Sequence, residues 1–482
     1  MNEKRSIWTQ NVKAQKRREL EEELTVDAAV IGGGLAGILT AYYLQKAGLR
    51  TVVLEAVQIG SGQSANTTAK ITSQHNLIYD MLTQKFSLKQ ARLYAEANEC
   101  AIAEYKRIIT EQKIDCDFTA APAYLYTTDN AAPLIKEAAA AQKAGIPAKL
   151  CSKTELPFPT AEALCFPNQA HFHPLKFLYA IAEQLEIYER TKVLDVDNMT
   201  LHTPRGKVHA SHIIFCCHYP FKNVPGYYFM RMHQERSYVI ALKNAQTPEG
   251  MYLSTDEDAL SFRTQGDLLL LGGCGHRTGG NSIGGQYAAL RDAAQKYYPN
   301  SKEVAAWSAQ DCMTLDGVAY IGRFSDSTPN WYTATGFGKW GMTSSMVSAM
   351  LISDLICKGK SPWEDVFSPQ RFKPSASAQT LMQDTAQAFK GLTRRIFTPP
   401  CADIEQLPCG HGGVVEYDGQ KIGVYKNEDG ETFIVEIRCP HLGCQLEWNP
   451  DEKSWDCPCH GSRFDYLGNL LDNPAQDNLK TI

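Results

Sequence analysis

Between Cys439 and Phe464 the chain reads C-P-H-L-G-C and then, after a gap, C-P-C-H-G-S-R-F. Fifteen residues separate Cys439-x-His441 from Cys457-x-x-His460. This spacing lets two thiolates hold one iron and two imidazoles the other, as in a two-iron, two-sulfur cluster. Two further cysteines, Cys444 and Cys459, stand three residues after one histidine and immediately before the other. They are placed to join the two cluster loops as a disulfide. The surrounding segment is small, so bound metal and a cross-link must supply part of its stability. A cluster moves electrons singly, and the rest of the chain has to supply them.

Cys and His in these numbers could also hold a tetrahedral zinc in a ribbon. C-P-C-H is not the haem attachment motif, which needs two residues between its cysteines. Cys409-Gly-His411 repeats the C-x-H spacing but has no correctly spaced C-x-x-H, and reads as a loop pair. Leu442, Gly443, Pro458, Gly461 and Ser462 match, together with the four ligands, the pattern of bc-type Rieske domains, which the segment therefore resembles. In those domains a serine and a tyrosine donate hydroxyl hydrogen bonds to the cluster side, stabilising the reduced state and raising the potential. Here Ser462 is present, Phe464 stands where the tyrosine would be, and the Gly-Pro-Ala cover loop has become Asn473-Pro474-Ala475. The resemblance implies a potential below that of the full pattern.

The 482 residues are enough for two to four domains. With 44% apolar residues, 21% charged residues and a formal charge of −5, the chain offers no electrostatic case for nucleic acid or anionic lipid. Its basic N-terminus lacks the apolar run of a signal peptide, and no stretch reaches the roughly eighteen apolar residues of a membrane span. A cytoplasmic protein is expected. Most of the fifteen cysteines, such as Cys216 and Cys217, read as small buried apolar residues. The charged stretch 8–24 reads as a solvated helix packed on the domain behind it.

From Thr25 to Glu55 the pattern is strand, glycine turn, helix, strand, with V-I-G-G-G-L-A-G at the turn. Gly32 makes the tight turn, Gly34 lets a pyrophosphate approach the backbone, and Gly37 lets helix and strand pack closely. The helix N-terminus faces the phosphates, and Glu55 is positioned for the ribose hydroxyls. Leu35, Ala36 and Ala56 complete this contact set. The fingerprint indicates a dinucleotide without distinguishing FAD from NAD.

Two further segments favour FAD. Gly60 to Lys70 is a small-residue loop offering Ser61, Thr67, Thr68 and Ala69, and Ala334 to Ser345 reads A-T-G-F-G-K-W-G-M-T-S-S. There Gly336, Gly338, Gly341, Met342 and Thr343 open an amphipathic run to Ile356. Both segments resemble the D-amino-acid oxidase family of flavoproteins, in which the second glycine segment approaches the pyrimidine end of the flavin. Cys312-Met313 invites comparison with members whose flavin is tethered through cysteine, although a buried small residue is the commoner explanation. As a whole, the chain resembles bacterial proteins that fuse such an FAD domain to a C-terminal bc-type Rieske domain.

The expected fold is an α/β, Rossmann-like FAD-binding domain with a β-sheet substrate subdomain, followed by a small all-β Rieske domain. Residues 1–365 form the oxidoreductase, with FAD-binding parts about 24–90, 165–220 and 305–360 and a substrate subdomain about 91–164 and 221–304. A proline-punctuated linker spans 366–400, with one helix at 380–390, and the Rieske domain spans 401–482. Helices are expected at 88–112 and 131–144. Candidate pocket residues are Arg236 and Tyr238 on the roof sheet, His276, Lys339 and Trp340, with Lys70 and His75 as weaker candidates. Arginine suits a substrate carboxylate and an aromatic suits an ammonium.

The resemblance implies oxidation of a C–H bond beside the nitrogen of a small-molecule amine or amino acid. Electrons would pass from FAD to the cluster and on to an external acceptor, a protein or a quinone. A different class of reading is an electron-transfer component that feeds an oxygenase. The sequence shows no second fingerprint for NAD(P)H and no separate two-His-one-carboxylate iron site. A redox sensor using Cys444 and Cys459 would not need the roof sheet.

Overall fold

The computed structural model describes residues 4–10, 12–257, 260–371, 377, 382, 404 and 407–482. The linker expected at 366–400 lies largely outside these residues, as does its helix at 380–390 apart from Met382.

Glu23–Ile31 is the centre of the first sheet, paired in parallel with Thr51–Leu54 on one side and Lys207–Phe215 on the other. Glu186–Tyr188 and Thr328–Thr335 extend it, again in parallel. Strands buried on both faces read as unbroken apolar runs, and Thr51–Leu54 is buried at every position. Helix Leu35–Lys46 packs beside this sheet against both Pro174–Ala182 and Gly341–Lys358. Helices also form at Leu88–Gln112 and Ala132–Ala144, as the periodicity predicts. Among the described residues, no helix is long and apolar enough to cross a membrane.

A second, eight-stranded sheet forms the roof, in the order Lys302–Thr314, Met232–Lys243, Leu268–Arg277, Ser261–Gln265, Met251–Ser254, Ala123–Thr127, Glu162–Phe166, Lys149–Cys151. Its first strand, Lys302–Thr314, pairs along the whole of Met232–Lys243, so residues 305–314, expected in the FAD-binding part, belong to the roof sheet. The return to the first sheet starts only at Tyr320–Ser325, which pairs with Thr328–Thr335.

The N-terminal segment differs as well. Among its described residues only Ile7–Thr9 is helical, as a single 3-10 turn, and residues 12–22 run without a helix. A segment that is polar all round has no apolar stripe to fix a helix, and tertiary bonds hold this one extended. Trp8 Nε1 donates to the Thr67 carbonyl at 2.7 Å, Arg17 to the Ala182 carbonyl at 2.9 Å, and the Leu20 amide to Thr191 Oγ1 at 3.0 Å.

The C-terminal domain is built of short strands in two sheets: Gly412–Tyr417, Gln420–Lys426 and Thr432–Glu436, then Glu447–Asn449, Ser454–Asp456, Arg463–Asp465 and Leu470–Asp472. Turns fall at the expected breaks. Asp418 and Gly419 both take positive φ, 49° and 70°, as a two-residue hairpin requires. Trp455 and Phe464 are fully buried in its core beside Cys439 and Cys457.

Candidate functional site

The glycine turn and the second glycine segment open on one cavity of about 780 Å³. The reasons lie in the backbone. Gly32 has φ +107°, and a Cβ there would sit 2.5 Å from the Cys216 carbonyl oxygen. A Cβ on Gly37 would be driven into the Gly32 carbonyl oxygen, so helix and strand touch only because Gly37 has no side chain. Gly336 is likewise held at φ +71° with Thr314 where its Cβ would go. Glu55 is spanned by amides: Gly33 donates to Oε2 at 2.7 Å and Val57 to Oε1 at 2.8 Å. Burial raises its pKa, partly offset by these bonds.

Of the expected dinucleotide contacts, Gly32, Gly34, Leu35, Ala36, Glu55 and Ala56 line this cavity. So do Ser61, Thr67, Thr68, Gly336, Gly341 and Met342. Gly37, Ala69, Gly338 and Thr343 stand behind the wall. Thr343 Oγ1 instead donates to the Thr72 carbonyl at 3.0 Å and lies 3.1 Å from His75 Nε2. Cys312 is in the wall, with Sγ 3.5 Å from the His218 carbonyl oxygen, and burial pushes its thiol well above the ordinary range.

The five expected pocket residues do not converge. Strand Met232–Lys243 turns Ser237 and Val239 into the cavity, so alternation sends Arg236 and Tyr238 to the opposite face. There Arg236, 2% exposed, pairs with Glu452 of the C-terminal domain at 2.9 Å instead of awaiting a carboxylate. Tyr238 OH lies 2.9 Å from His276 Nε2, and His276 Nδ1 donates to the Arg277 carbonyl at 2.8 Å, so both are engaged on that far face. Trp340 stacks on His75 at 4.7 Å, away from the wall. Lys70, half-buried, donates to the Tyr252 carbonyl at 3.4 Å, and desolvation lowers its pKa to about 7.

Only Lys339 lines the cavity, at φ +74° and paired with Glu235 at 2.8 Å. Burial would raise the pKa of Glu235, but hydrogen bonding from His233 and the charge of Lys339 hold it at about 2. Sequence reasoning passed over Asp311, whose carboxyl faces the cavity and is raised to about 6 by burial. The strand register supplied the signal: Asp311 lies directly across from Glu235.

The second centre lies where two loops of the C-terminal domain meet. The ring centroids of His441 and His460 are 4.9 Å apart and nearly perpendicular. His441 Nδ1 is buried without a hydrogen-bond partner, while Nε2 donates to Asn223 Oδ1 at 3.0 Å. A buried nitrogen left unpaired in this way is suited to a metal, and burial lowers the pKa of His441 to about 4, keeping the imidazole neutral. The thiols of Cys439 and Cys457 hydrogen-bond each other, which with bonds from two amides and the Ser462 hydroxyl lowers the pKa of Cys439 despite burial. The sulfurs of Cys444, Cys457 and Cys459 lie within 4.8 Å of one another. Cys444 and Cys459 are joined as a disulfide, leaving Cys457 as the free thiol of that group. These donors fit a two-iron cluster held by two thiolates and two imidazoles.

Ser462 Oγ also accepts from the Ala475 amide at 3.0 Å, which ties the cover loop to the cluster loop. Asn473 explains the altered cover sequence: its Nδ2 donates to the Cys217 and Tyr219 carbonyls, each at 2.8 Å, a latch that glycine could not make. Phe464 is fully buried and brings no hydroxyl. A Phe464→Tyr variant should therefore titrate higher, by roughly 40 mV if the new bond is worth about 1 kcal/mol. An EPR-monitored redox titration showing no rise would reject this.

The profile of the FAD dependent oxidoreductase family matches residues 27–355, and that of the Rieske [2Fe-2S] domain matches residues 398–482. The chain is 40% identical over 494 residues to the Rieske 2Fe-2S iron-sulfur protein YhfW of Bacillus subtilis, covering 99% of this chain and 97% of that one. It is 24% identical over 397 residues to the gamma-glutamylputrescine oxidoreductase of Escherichia coli, covering 75% of this chain and 90% of the other. Among solved structures, the L-proline dehydrogenase of P. horikoshii superposes with a TM-score of 0.62 at 19% identity, over 73% of this chain and 98% of that one. The chain thus carries a domain that binds FAD and a domain that binds a 2Fe-2S cluster.

Proposed function

The chain belongs to the FAD dependent oxidoreductase family and carries a C-terminal Rieske [2Fe-2S] domain, and from that premise we propose that it oxidises a small amine or amino acid and delivers the electrons through the cluster to an external one-electron acceptor. When bound, FAD accepts a hydride equivalent and the cluster carries single electrons. The supporting observation is that Leu470, Asp472, Asn473 and Gln476 of the Rieske domain line the large cavity of the oxidoreductase domain. Lys192 reinforces this closure by donating to the Gln476 carbonyl, and Gln63 by donating to Asp472 Oδ1 at 3.3 Å. A cluster domain that forms part of the flavin site is suited to take electrons from it.

Ser237, Asp311 and Lys339 give the cavity a polar side on which a substrate can be oriented. An amine is favoured because gamma-glutamylputrescine and L-proline, named for two similar proteins, both carry an amine nitrogen. Anaerobic mixing with a panel of amino acids, N-methyl amino acids and polyamines should bleach the flavin first and produce the reduced-cluster EPR signal second. If no amine bleaches the flavin and NAD(P)H does, the chain is an electron-transfer component and the proposal fails.

A further inference from the structure

The seam between the FAD cavity and the cluster contains two buried glutamines, Gln234 (1% exposed) and Gln310 (0%). Gln234 Nε2 donates to the carbonyl of His460, an expected cluster ligand, at 2.7 Å and to the Asn473 carbonyl at 2.9 Å. Its Oε1 accepts from Gln310 Nε2 at 2.8 Å and lies 3.1 Å from His218 Nε2. An amide oxygen only accepts, so His218 Nε2 carries its proton. His218 lines the FAD cavity. Gln310 Nε2 also donates to the Gly461 carbonyl at 2.8 Å, and its Oε1 accepts from Arg236 and Thr278, each at 3.2 Å.

Every donor and acceptor of both amides is therefore used, which fixes their orientation: flipping either would point an oxygen at carbonyls. The close approach depends on Gly461, at φ +85°, where a Cβ would sit 2.6 Å from Gln234 Cβ. Two side chains and two hydrogen bonds thus run from the cavity wall to the backbone of a cluster ligand. The other histidine ligand, His441, meets the FAD domain at Asn223, which is not part of the cavity wall.

We propose that Gln234, seconded by Gln310, is the positioning residue that couples the flavin site to the cluster, its hydrogen bonds joining the His218 wall to the backbone of His460 so that electrons tunnel across a fixed seam. The proposal rests on the FAD-to-cluster relay proposed above. The balance would be one electron from reduced FAD for each ferric iron of the cluster made ferrous. The flavin's proton leaves to solvent, and the second electron follows once an external one-electron acceptor, a metalloprotein or a quinone, has reoxidised the cluster.

The test needs no substrate. In the holoprotein, flavin is photoreduced by a deazaflavin flash and the cluster's reduction is followed by absorbance. The cluster potential is measured on the same samples, so that a change in driving force is separated from a change in coupling. Gln234→Met keeps the volume and removes the bonds, and should slow transfer roughly tenfold, with Gln310→Met slowing it less. Asn281→Ala weakens the same seam elsewhere, at Asn449 and Asp451, and should transfer at the wild-type rate. Wild-type transfer in both glutamine variants, or equal slowing by Asn281→Ala, overturns the proposal. If Gln234→Met does not retain its cluster, Gln310→Met decides alone. A wild-type protein whose photoreduced flavin never reduces the cluster instead refutes the relay itself.

Discussion

A Gly37→Ala variant is expected to purify without FAD. Alanine is the better helix former, by about 1 kcal/mol in a helix interior, and on propensity alone the substitution should help. The added Cβ, however, is driven into the Gly32 carbonyl oxygen and lies 3.2 Å from a Val30 methyl. Backbone at a tight turn cannot step aside as a flexible side chain can. Overpacking of this kind costs about 1–3 kcal/mol or more, and here the strain falls on the turn that must meet the pyrophosphate. Each 1.4 kcal/mol transmitted to binding lowers FAD affinity about tenfold. Gly413→Ala, whose Cβ would meet nothing within 4 Å, should keep its flavin. The ratio of flavin absorbance to protein decides the matter, and a wild-type ratio in Gly37→Ala would refute the close-contact argument.

Severing Arg236 from Glu452 should cost the seam about 3 kcal/mol, the lower end of the range for breaking a buried pair. Arg236 is 2% exposed, and the Glu452 carboxylate also takes hydrogen bonds from Ser308 at 2.7 Å and Tyr287 at 2.9 Å. Burial would raise the pKa of Glu452, but the charges of Arg236 and then Arg463 hold it below its ordinary value. Arg236→Met leaves that carboxylate with Arg463 at 3.6 Å and Lys4 at 3.9 Å, which is why the lower figure applies. Replacing both partners, Arg236→Met with Glu452→Leu, should recover much of the loss, because no unpaired charge is then left buried. Chemical denaturation followed at the cluster's visible absorbance measures both. A single variant within about 0.5 kcal/mol of wild type would mean that the pair is only surface decoration.

The face of the roof sheet was where sequence reasoning went astray. Arg236 and Tyr238 are two apart and share a face, as alternation requires, but alternation does not say which face looks inward. Ser237 and Val239, the less conspicuous pair, turned out to line the cavity. The charged N-terminal stretch misled for a related reason. Its residues favour helix individually, while Trp8, Arg17 and Leu20 are held by partners far along the chain.

What the sequence determined by itself is chemistry whose parts lie close together along the chain. Gly32, Gly34, Gly37 and Glu55 lie within a single strand-turn-helix-strand unit, and Cys439, His441, Cys457 and His460 fall within twenty-two residues. Spacing and backbone sterics are enough to fix such units. Only the tertiary structure decided how the two centres meet. Asn473 latches onto Cys217 and Tyr219, and Gln234 reaches His460, across more than two hundred residues of chain. No local pattern encodes those bonds, because each depends on which faces of the two domains come into contact and on the exclusion of water that makes a buried amide take a protein partner.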